Sequence, residues 1–435
     1  MATNNSIHSS STIVAQDFAH LRVTKGNLTS LIFYTVFFLV FCLSGLLSFL
    51  SILKGFPYRM GLVSILVLPL IFLYGIRINK VFISYVLLTA IILLSGFYNG
   101  ISVQGILLFM RTLIFSYLIL RLVEIYLRPA NIHRVLNWCI IISILQLPVV
   151  ILQRISFTHW PAIVRANIDR LDIAFGTFNF KGDAAMAFFL TSIIIFLLFD
   201  GKHPYRIQYK WIILGWLTLT IYICNAEVMK ITVSLVWAVY FFTHAKTKII
   251  LYSVVLFLCI FGLLVVSGIF NQVWSRFWYN LQTNTQLTSE REQSFLSGNY
   301  ARGTAIAYYF NQKIKLLGDG PSSYYNVFTR TRVLGNTGHI FTFYSEVGLL
   351  GWLASTAIFI LIAFPIHRGR ITISWVSLLI FLSIQLLSFT SEIMNDVSIV
   401  LTYCIITKAY LIFAHNHLAI KQGNVINELP NAIRL

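Results

Sequence analysis

The sequence predicts an all-α, polytopic membrane protein with about twelve transmembrane helices. Of its 435 residues, 58% are hydrophobic and only 11% are charged, which is too apolar for a soluble domain. Many apolar runs reach roughly 18 residues or more, and a bilayer core of about 30 Å takes about 20 helical residues. Because every backbone polar group in lipid needs an internal partner, repeated runs of this length predict a helical bundle.

Twelve apolar runs are candidate spans, and several of them are shorter than a full crossing. The second and fifth contain Pro69 and Pro148, which are tolerable as kinks where neighbouring helices cover the freed carbonyls. In chain order the predicted spans are Leu31–Leu53, Met60–Ile76, Val81–Tyr98, Ile106–Leu120, Val135–Leu152, Ala184–Phe199, Trp211–Ile223, Ala226–Phe242, Ile249–Val266, Ile340–Ala363, Ile371–Phe389 and Val397–Phe413.

The basic residues of the short loops predict which side of the membrane each loop occupies, since Lys and Arg concentrate in cytoplasmic loops. With a cytoplasmic N-terminus, twelve basic residues fall in short inner loops and three in short outer loops. Both termini are therefore predicted to be cytoplasmic. The inner residues are Arg77, Lys80, Arg121, Arg128, Arg134, Lys202, Arg206, Lys210, Lys246, Lys248, Arg368 and Arg370; the outer ones are Lys54, Arg59 and, at the outer start of the eighth span, Lys230.

This topology divides the chain into five parts. A cytoplasmic tail (1–30) precedes spans one to nine (31–266); a large outer loop (267–338) precedes spans ten to twelve (339–414) and a second cytoplasmic tail (415–435). The polar, Ser/Asn-rich opening predicts a retained first span rather than a cleaved signal peptide. The net charge of +18 is spread over loops, as the positive-inside bias requires, and does not indicate nucleic-acid binding.

The positive-inside bias does not explain the net charge of the outer loop. Its seven basic and three acidic residues leave a surplus of +4 on the side where the positive-inside bias gives no reason for one. An anionic ligand would explain the surplus. Within the loop, the apolar spacing predicts a helix over Asn299–Leu317 that ends at the turn beginning with Gly318.

A lone histidine, His339, lies where this polar loop meets the tenth span. It is either an interfacial residue with a wet tip or part of a site. Arg302 lies upstream, a Gly-Asp-Gly turn occupies 318–320, and an E-x-G-x-x-G run begins at Glu346. The chain has no phosphate-binding glycine loop, no metal-type histidine pair and no nucleophile elbow. Its five cysteines lack metal-type spacing, so neither a metal nor a cofactor is predicted.

The order Arg302, an amphipathic helix, Gly318-Asp319-Gly320, His339 and Glu346-Val347-Gly348-Leu349-Leu350-Gly351 resembles the signature of the O-antigen polymerase and O-antigen ligase superfamily. These are membrane glycosyltransferases that use polyprenyl diphosphate-linked glycans, and the arginine and histidine flanking their major periplasmic loop are essential. The resemblance implies a glycosyltransferase-C-like bundle in the bacterial inner membrane, with Arg302 and His339 as catalytic residues on its periplasmic face.

The flanks of the histidine depart from the family pattern. The family often has a polar residue beside its histidine, whereas Gly338 and Ile340 stand there in this chain. The departure bears on which member of the superfamily the chain resembles.

The resemblance implies a polysaccharide polymerase of the inverting, metal-independent kind. It would extend O-antigen, the glycan of lipopolysaccharide, or exopolysaccharide by joining repeat units carried on undecaprenyl diphosphate. Its partners would be the lipid-linked donor and acceptor, the lipid bilayer and a chain-length regulator. The alternatives are an O-antigen ligase that transfers glycan to the lipid A core, a protein O-glycosyltransferase, and, from a different class, a flippase of lipid-linked glycan. A flippase predicts charged residues along the bundle midplane.

The chemistry suits the two residue types. Guanidinium groups bind phosphate in a bidentate way and keep their charge, so arginines would stabilise the departing diphosphate. Histidine suits the base that a sugar hydroxyl needs. Arg165, Arg276 and Arg291 are predicted to assist Arg302; the ten residues between Arg165 and Gly176 resemble a spacing in the family's periplasmic loops.

Three further residues are substrate-binding candidates with structural alternatives. Arg111 lies inside the fourth span, where a charge is costly and therefore functional by default, unless it snorkels to the interface. Lys230 matches a basic residue that the family often has there, or it pairs with Glu227 on one helix face. Glu346 either positions a loop arginine or caps a buried helix contact.

The count of basic residues predicts that His339 lies at the outer side of the membrane. A reporter fused after Gly338 should read as periplasmic, and one fused after Arg370 as cytoplasmic. Alkaline phosphatase and green fluorescent protein fusions measure the two outcomes. The opposite result at either position would put His339 on the wrong side for an outer glycan.

Overall fold

The computed structural model describes residues 26–54, 60–166, 168, 172–180, 182–199, 209–245, 275, 313–323, 325–326, 331–332, 338–367, 370–371 and 374–421. The helices there are α1 (Gly26–Lys54), α2 (Gly61–Tyr74), α3 (Lys80–Tyr98), α4 (Val103–Tyr126), α5 (Ile132–Ser156), α6 (Ala162–Arg165), α7 (Asp183–Phe199), α8 (Lys210–Ile223), α9 (Glu227–His244), α10 (His339–Glu346), α11 (Gly348–Ala363), α12 (Trp375–Ser388) and α13 (Val397–Lys421).

The described strands are two antiparallel pairs of two residues each. β1 (Tyr325–Asn326) pairs with β2 (Thr331–Arg332), and β3 (Ile366–His367) pairs with β4 (Arg370–Ile371). Helices otherwise dominate the described chain, so the all-α prediction is confirmed.

By length and composition, five helices of the described residues can cross a membrane. They are Gly26–Lys54, Lys80–Tyr98, Val103–Tyr126, Ile132–His159 and Val397–Ala414. Most of the remaining predicted spans correspond to shorter apolar helices, and each one that falls on described residues is helical over most of its length. The ninth predicted span, Ile249–Val266, lies outside the described residues, so the count of twelve stays a prediction.

Two helices form the centre of the bundle. Every side chain of α7 from Ala185 to Leu198 is at most 3% exposed, as expected for a helix that is apolar on all sides. α7 packs against α8, α9, α12 and α13, while α13 packs against α4 and α7. The Tyr403 hydroxyl of α13 donates to the Phe359 carbonyl at 2.6 Å, which links this central helix to α11.

The proline of the fifth span is accommodated as predicted. α5 runs through Pro148, which has no N–H and so leaves the Ile144 carbonyl without its usual helical partner. The Trp216 indole N–H of α8 donates to that carbonyl at 2.9 Å. A neighbouring helix thus covers the freed carbonyl, which a bilayer requires.

Three predicted boundaries are wrong, since an apolar pattern by itself does not determine where a helix begins or ends. The tenth span, predicted as Ile340–Ala363, is two helices broken at Val347. The eleventh predicted span corresponds to α12, which begins at Trp375 rather than Ile371, because Ser374 caps it by accepting the Ser377 N–H at 3.1 Å. The described residues 313–317 of the predicted helix Asn299–Leu317 are not helical; the rest of that segment lies outside the described chain.

The fourth span also extends past its predicted end, and this moves Arg121 from an inner loop into a helix. Arg121 is 7% exposed and forms an ion pair with Glu124 at 2.9 Å. It also donates to the Gly75 carbonyl at 3.1 Å, and Glu124 accepts from the Asn79 amide at 3.1 Å. A charged residue can therefore stay in the helix, since its partner lies one turn along the same face.

Removing one member of this ion pair should destabilise the bundle. Arg121→Ala leaves the Glu124 carboxylate without its cation, so we expect a loss of about 3 kcal/mol, the lower end for breaking a buried pair. Thermal unfolding in detergent measures the loss. Arg128→Ala, an exposed arginine at the same end of α4, should change stability by less than about 0.5 kcal/mol. If Arg121→Ala and Arg128→Ala lower the stability equally, the ion pair does not stabilise the bundle.

Candidate functional site

The candidate site is built around the break between α10 and α11. Gly348 has a φ of +80°, a left-handed conformation that side chains rarely adopt. A Cβ added there would collide with the Leu316 carbonyl and the Gly318 amide, both of which are backbone groups that cannot swing away. The glycine of the E-x-G-x-x-G run therefore permits the break and the close approach of another segment.

That segment is the turn 315–320, which supplies hydrogen bonds to both broken helix ends. The last carbonyls of α10 accept from the turn: Ser345 from Asp319 N–H at 2.8 Å, and Glu346 from Gly320 N–H at 2.8 Å. The first N–H groups of α11 donate to it, Leu349 to the Lys315 carbonyl at 3.0 Å. Helix ends leave such groups without intrahelical partners, and the turn pairs them.

Other elements hold this turn in place. Ser95 of α3 donates to the carbonyls of Leu317 and, at 3.2 Å, Glu346. Asn99, which follows α3, donates to the Gly318 carbonyl at 3.3 Å. Gly318 has a φ of +66°, and a Cβ there would lie 2.6 Å from the Gly348 nitrogen. The two glycine motifs predicted along the sequence are thus one interlocking backbone contact.

Glu346 is part of the same contact. It is 1% exposed, and its carboxylate accepts the Ser322 N–H at 2.8 Å. Ser322 in turn donates through its hydroxyl to the Gly105 carbonyl of α4 at 2.8 Å. Of the two predicted roles, this geometry matches the cap of a buried contact. The loop arginines that the other role needs, Arg276, Arg291 and Arg302, lie outside the described residues.

His339 begins α10 and is only 3% exposed. Its N–H donates to the Ser391 carbonyl at 2.9 Å, and its ring centroid lies 4.2 Å from that of Phe343. Its Nε2 lies 3.3 Å from the Ser355 hydroxyl oxygen, and Ser355 donates its own proton to the Trp352 carbonyl at 2.8 Å. Ser355 therefore accepts from Nε2, so this nitrogen is assigned a proton.

A small cavity, partly open to solvent, lies beside His339. It forms where α4, α10 and the connection 389–396 between α12 and α13 meet. Gly338 makes the close approach to this connection possible, because a Cβ there would overlap the backbone of Ser388 and Phe389. The lining residues are Phe109, Thr112, His339, Thr342, Phe343, Glu392 and Asn395.

The acidic residues of the connection 389–396 have separate contacts. Glu392 accepts from the Thr342 hydroxyl at 3.4 Å and from the Asn395 amide at 3.3 Å, and it faces the cavity. Asp396 instead caps α13, accepting the N–H groups of Ser398 at 2.9 Å and Ile399 at 3.3 Å. Burial raises the pKa of the Asp396 carboxyl, and these hydrogen bonds partly oppose the rise.

The segment 172–180 folds against α1 and α5. Gln153 makes two hydrogen bonds to Gly176, accepting its N–H at 2.9 Å and donating to its carbonyl at 2.7 Å. Gln146, fully buried, accepts the Thr177 N–H at 3.0 Å. Arg165 ends α6, which packs on α1, and its side chain is exposed. The predicted Arg165–Gly176 motif thus consists of an exposed cation and a buried structural glycine, and a diphosphate-binding role for Arg165 stays a prediction.

The remaining candidates lie on two other helices. Arg111 of α4 is half-buried, and its Nε has no hydrogen-bond partner within the described chain. Lys230 pairs with Glu227 at 2.6 Å, which is the structural alternative that the sequence offered. Both substrate-binding roles stay predictions. Across the described ranges, no group of three or more His, Cys, Asp or Glu side chains could hold a metal ion.

Sequence reasoning missed four polar residues of the cavity: Thr112, Thr342, Glu392 and Asn395. Glu392 lies in a short connection on the predicted outer side, where an acidic residue fits the charge bias and needs no further explanation. The threonines are ordinary residues within apolar runs. Nothing in the local pattern of any of them indicates that distant segments bring them together.

The interlock at Gly348 should be intolerant of a side chain. Gly348→Ala forces a left-handed alanine, at about 1–2 kcal/mol, and also displaces the Leu316 carbonyl. We expect a loss of at least 2 kcal/mol, measured by thermal unfolding in detergent. Gly215→Ala is the matched control, because nothing lies within 4 Å of a Cβ at that helical position. A parent-like Gly348→Ala protein would contradict the interlock.

Comparison of the chain with protein-family models, with curated proteins and with solved structures finds no match.

Proposed function

We propose that the protein is a membrane glycosyltransferase that polymerises glycan repeat units carried on polyprenyl diphosphate, at the outer face of the bacterial inner membrane. One observation carries the proposal: a cavity at the loop end of the bundle combines His339 with a carboxylate, two hydroxyls, an amide and two phenyl rings. Acceptors of hydrogen bonds beside ring faces suit a sugar, which offers hydroxyl donors along its edges and apolar C–H faces.

The proposed reaction is a displacement at the anomeric carbon of the donor glycan. A hydroxyl oxygen of the acceptor sugar forms the new C–O bond while the bond to the diphosphate breaks. The electron pair of that bond leaves with the polyprenyl diphosphate, and the hydroxyl proton passes to His339. The Nε2 contact with Ser355 favours this role, because it holds the imidazole ring in one orientation.

The leaving diphosphate needs cationic partners, and the outer loop has a surplus of them. Arg302 is the catalytic cation of the proposal, with Arg165, Arg276 and Arg291 as further phosphate ligands. Guanidinium groups would stabilise the developing charge without a metal ion. The interlock between the turn 315–320 and the α10–α11 break supports this arrangement, because it ties the chain that follows Arg302 to the helix that carries His339.

Charge placement in the described bundle favours this proposal over a flippase. A flippase needs charged residues along the midplane, and intramembrane charges mark such paths. Within the described residues, the buried Arg, Lys, Asp and Glu side chains are those of Arg121 and Glu346, together with the carboxyl of Asp396, which caps α13, and Arg111 is half-buried. Arg121 lies in the last part of α4, and Glu346 lies at the α10–α11 break. Arg121 pairs with Glu124 at 2.9 Å, and the Glu346 carboxylate accepts the Ser322 N–H at 2.8 Å.

Polymer synthesis by the purified protein tests the proposal. With polyprenyl diphosphate-linked repeat units in lipid nanodiscs, the parent should form a ladder of products. His339→Gln should lower turnover at least about 100-fold, because it removes proton transfer, while leaving donor binding unchanged. Arg302→Ala should abolish synthesis, and Arg302→Lys should restore part of it, because an ammonium lacks the planar fork.

The control is His159→Gln, an exposed histidine that follows α5 on the predicted outer side. It should behave like the parent. Near-normal synthesis by His339→Gln would reject the base role. Loss of synthesis on chelation would point to a metal, and transfer only to a lipid A core acceptor would identify a ligase.

A further inference from the structure

The segment 313–316, which leads into the turn that locks α10 to α11, is exposed along its whole length. Its residues alternate in character: Lys313, Ile314, Lys315 and Leu316. Ile314 is 72% exposed and Leu316 is 60% exposed, and neither belongs to a helix or a strand. Two large apolar side chains are thus presented by an irregular segment rather than by the outer face of a membrane helix.

These side chains continue the exposed apolar face of α11. The Leu350 N–H donates to the Leu316 carbonyl at 3.2 Å, which places the segment directly beside the first turn of that helix. Leu350 and Leu353, which lie on one face of α11, are both exposed. Ile314 and Leu316 therefore extend an apolar surface that a bilayer contacts, and they do not stand alone.

The end of α3 shows the depth at which this surface ends. Asn99, which follows α3, donates to the Gly318 carbonyl at 3.3 Å, so the turn lies level with that end of the helix. Tyr98, the last residue of α3, is 78% exposed. Exposed tyrosines concentrate where a bilayer meets water. The segment 313–316 thus lies at the level of the lipid headgroups.

The charges of the segment suit lipid phosphates. Lys313 is exposed and has no ion pair within the described chain. Lys315 pairs with Asp319, and its side chain also stays exposed. Lysine side chains keep their charged ends among headgroups while neighbouring apolar side chains enter the acyl region. Alternating cationic and apolar side chains are typical of a segment that lies on a membrane.

We propose that the segment 313–316 is a membrane-surface anchor, in which Ile314 and Leu316 insert below the headgroups of the adjoining leaflet while Lys313 and Lys315 lie among the lipid phosphates. Because the carbonyls of residues 315 and 316 accept hydrogen bonds from α11, the anchor also holds the turn 315–320 against the helix break. It requires a bilayer, but it does not depend on glycosyltransferase activity.

Depth-dependent fluorescence quenching in lipid nanodiscs tests the anchor. The dye nitrobenzoxadiazole is attached to Lys313→Cys, Ile314→Cys or Leu353→Cys, and the identically treated parent gives the background from native cysteines. Dye at Ile314→Cys should be quenched at least about twofold by lipids with a nitroxide near the top of the acyl chain. Dye at Lys313→Cys should be quenched more by a headgroup nitroxide. Leu353→Cys is the reference for a side chain that faces lipid.

Ala130→Cys is the control for a side chain in water, because Ala130 is exposed in the connection between α4 and α5. Acyl-chain nitroxides should hardly quench it. If Ile314→Cys is quenched no more than Ala130→Cys, the anchor is overturned. A Lys313→Cys profile identical to that of Ile314→Cys would overturn the placement of the lysines among the phosphates.

A label-free measurement guards against a dye that itself draws the segment into lipid. Hydrogen exchange in nanodiscs follows the Leu349 and Leu350 amides, which donate to the carbonyls of residues 315 and 316 at 3.0 Å and 3.2 Å. The double variant Ile314→Ser/Leu316→Ser should exchange them at least about threefold faster, because loss of the anchor favours local opening. Ile155→Ser, which removes a similarly exposed side chain near the end of α5, should exchange like the parent. Parent-like exchange in the double variant would contradict the anchor.

Discussion

The candidate site depends on one physical constraint: the backbone groups released where α10 and α11 break must find partners within the protein. In a bilayer an unpaired N–H or C=O costs several kcal/mol. The turn 315–320 meets this requirement from both sides, donating to the carbonyl end of α10 and accepting from the amide end of α11. Because a single turn serves both ends, the break, the turn and the chain beyond it are held as one unit.

This unit also positions His339, which is buried. A continuous helix from 340 to 363 would present its first turn as an ordinary membrane interface. The break instead makes α10 a separate eight-residue helix whose start is hydrogen-bonded to Ser391. That bond brings the connection 389–396, with Glu392, against the histidine. Under the proposed function, the same rigidity would present an acceptor hydroxyl to the imidazole while the donor's lipid tail stays in the bilayer.

A second non-helical segment also needs hydrogen-bond partners for its backbone groups. Residues 172–180 lie against α1 and α5 without regular structure, and two glutamines of α5 pair with their backbone: Gln153 with Gly176 and Gln146 with Thr177. Thr177 also donates to the Phe41 carbonyl, within the π-helical turn Leu39–Leu43 of α1. Non-helical backbone inside a membrane protein requires such partners. Here amide side chains supply them, whereas at the α10–α11 break the backbone itself does.

Apolar run length and the need for internal hydrogen bonds determined the helical class and most helix positions from the sequence alone. The sequence also singled out His339, Glu346 and the two glycine motifs, because a polar residue or a glycine in an apolar run needs a local reason. It did not reveal that the two motifs bind each other, nor that Arg121 stays helical beside Glu124. Glu392 and Asn395 were ordinary polar residues of a short connection until packing placed them beside His339. Only the tertiary structure decided these contacts, because each joins segments far apart in the chain or depends on a partner's geometry, and hydrophobic periodicity carries no information about either.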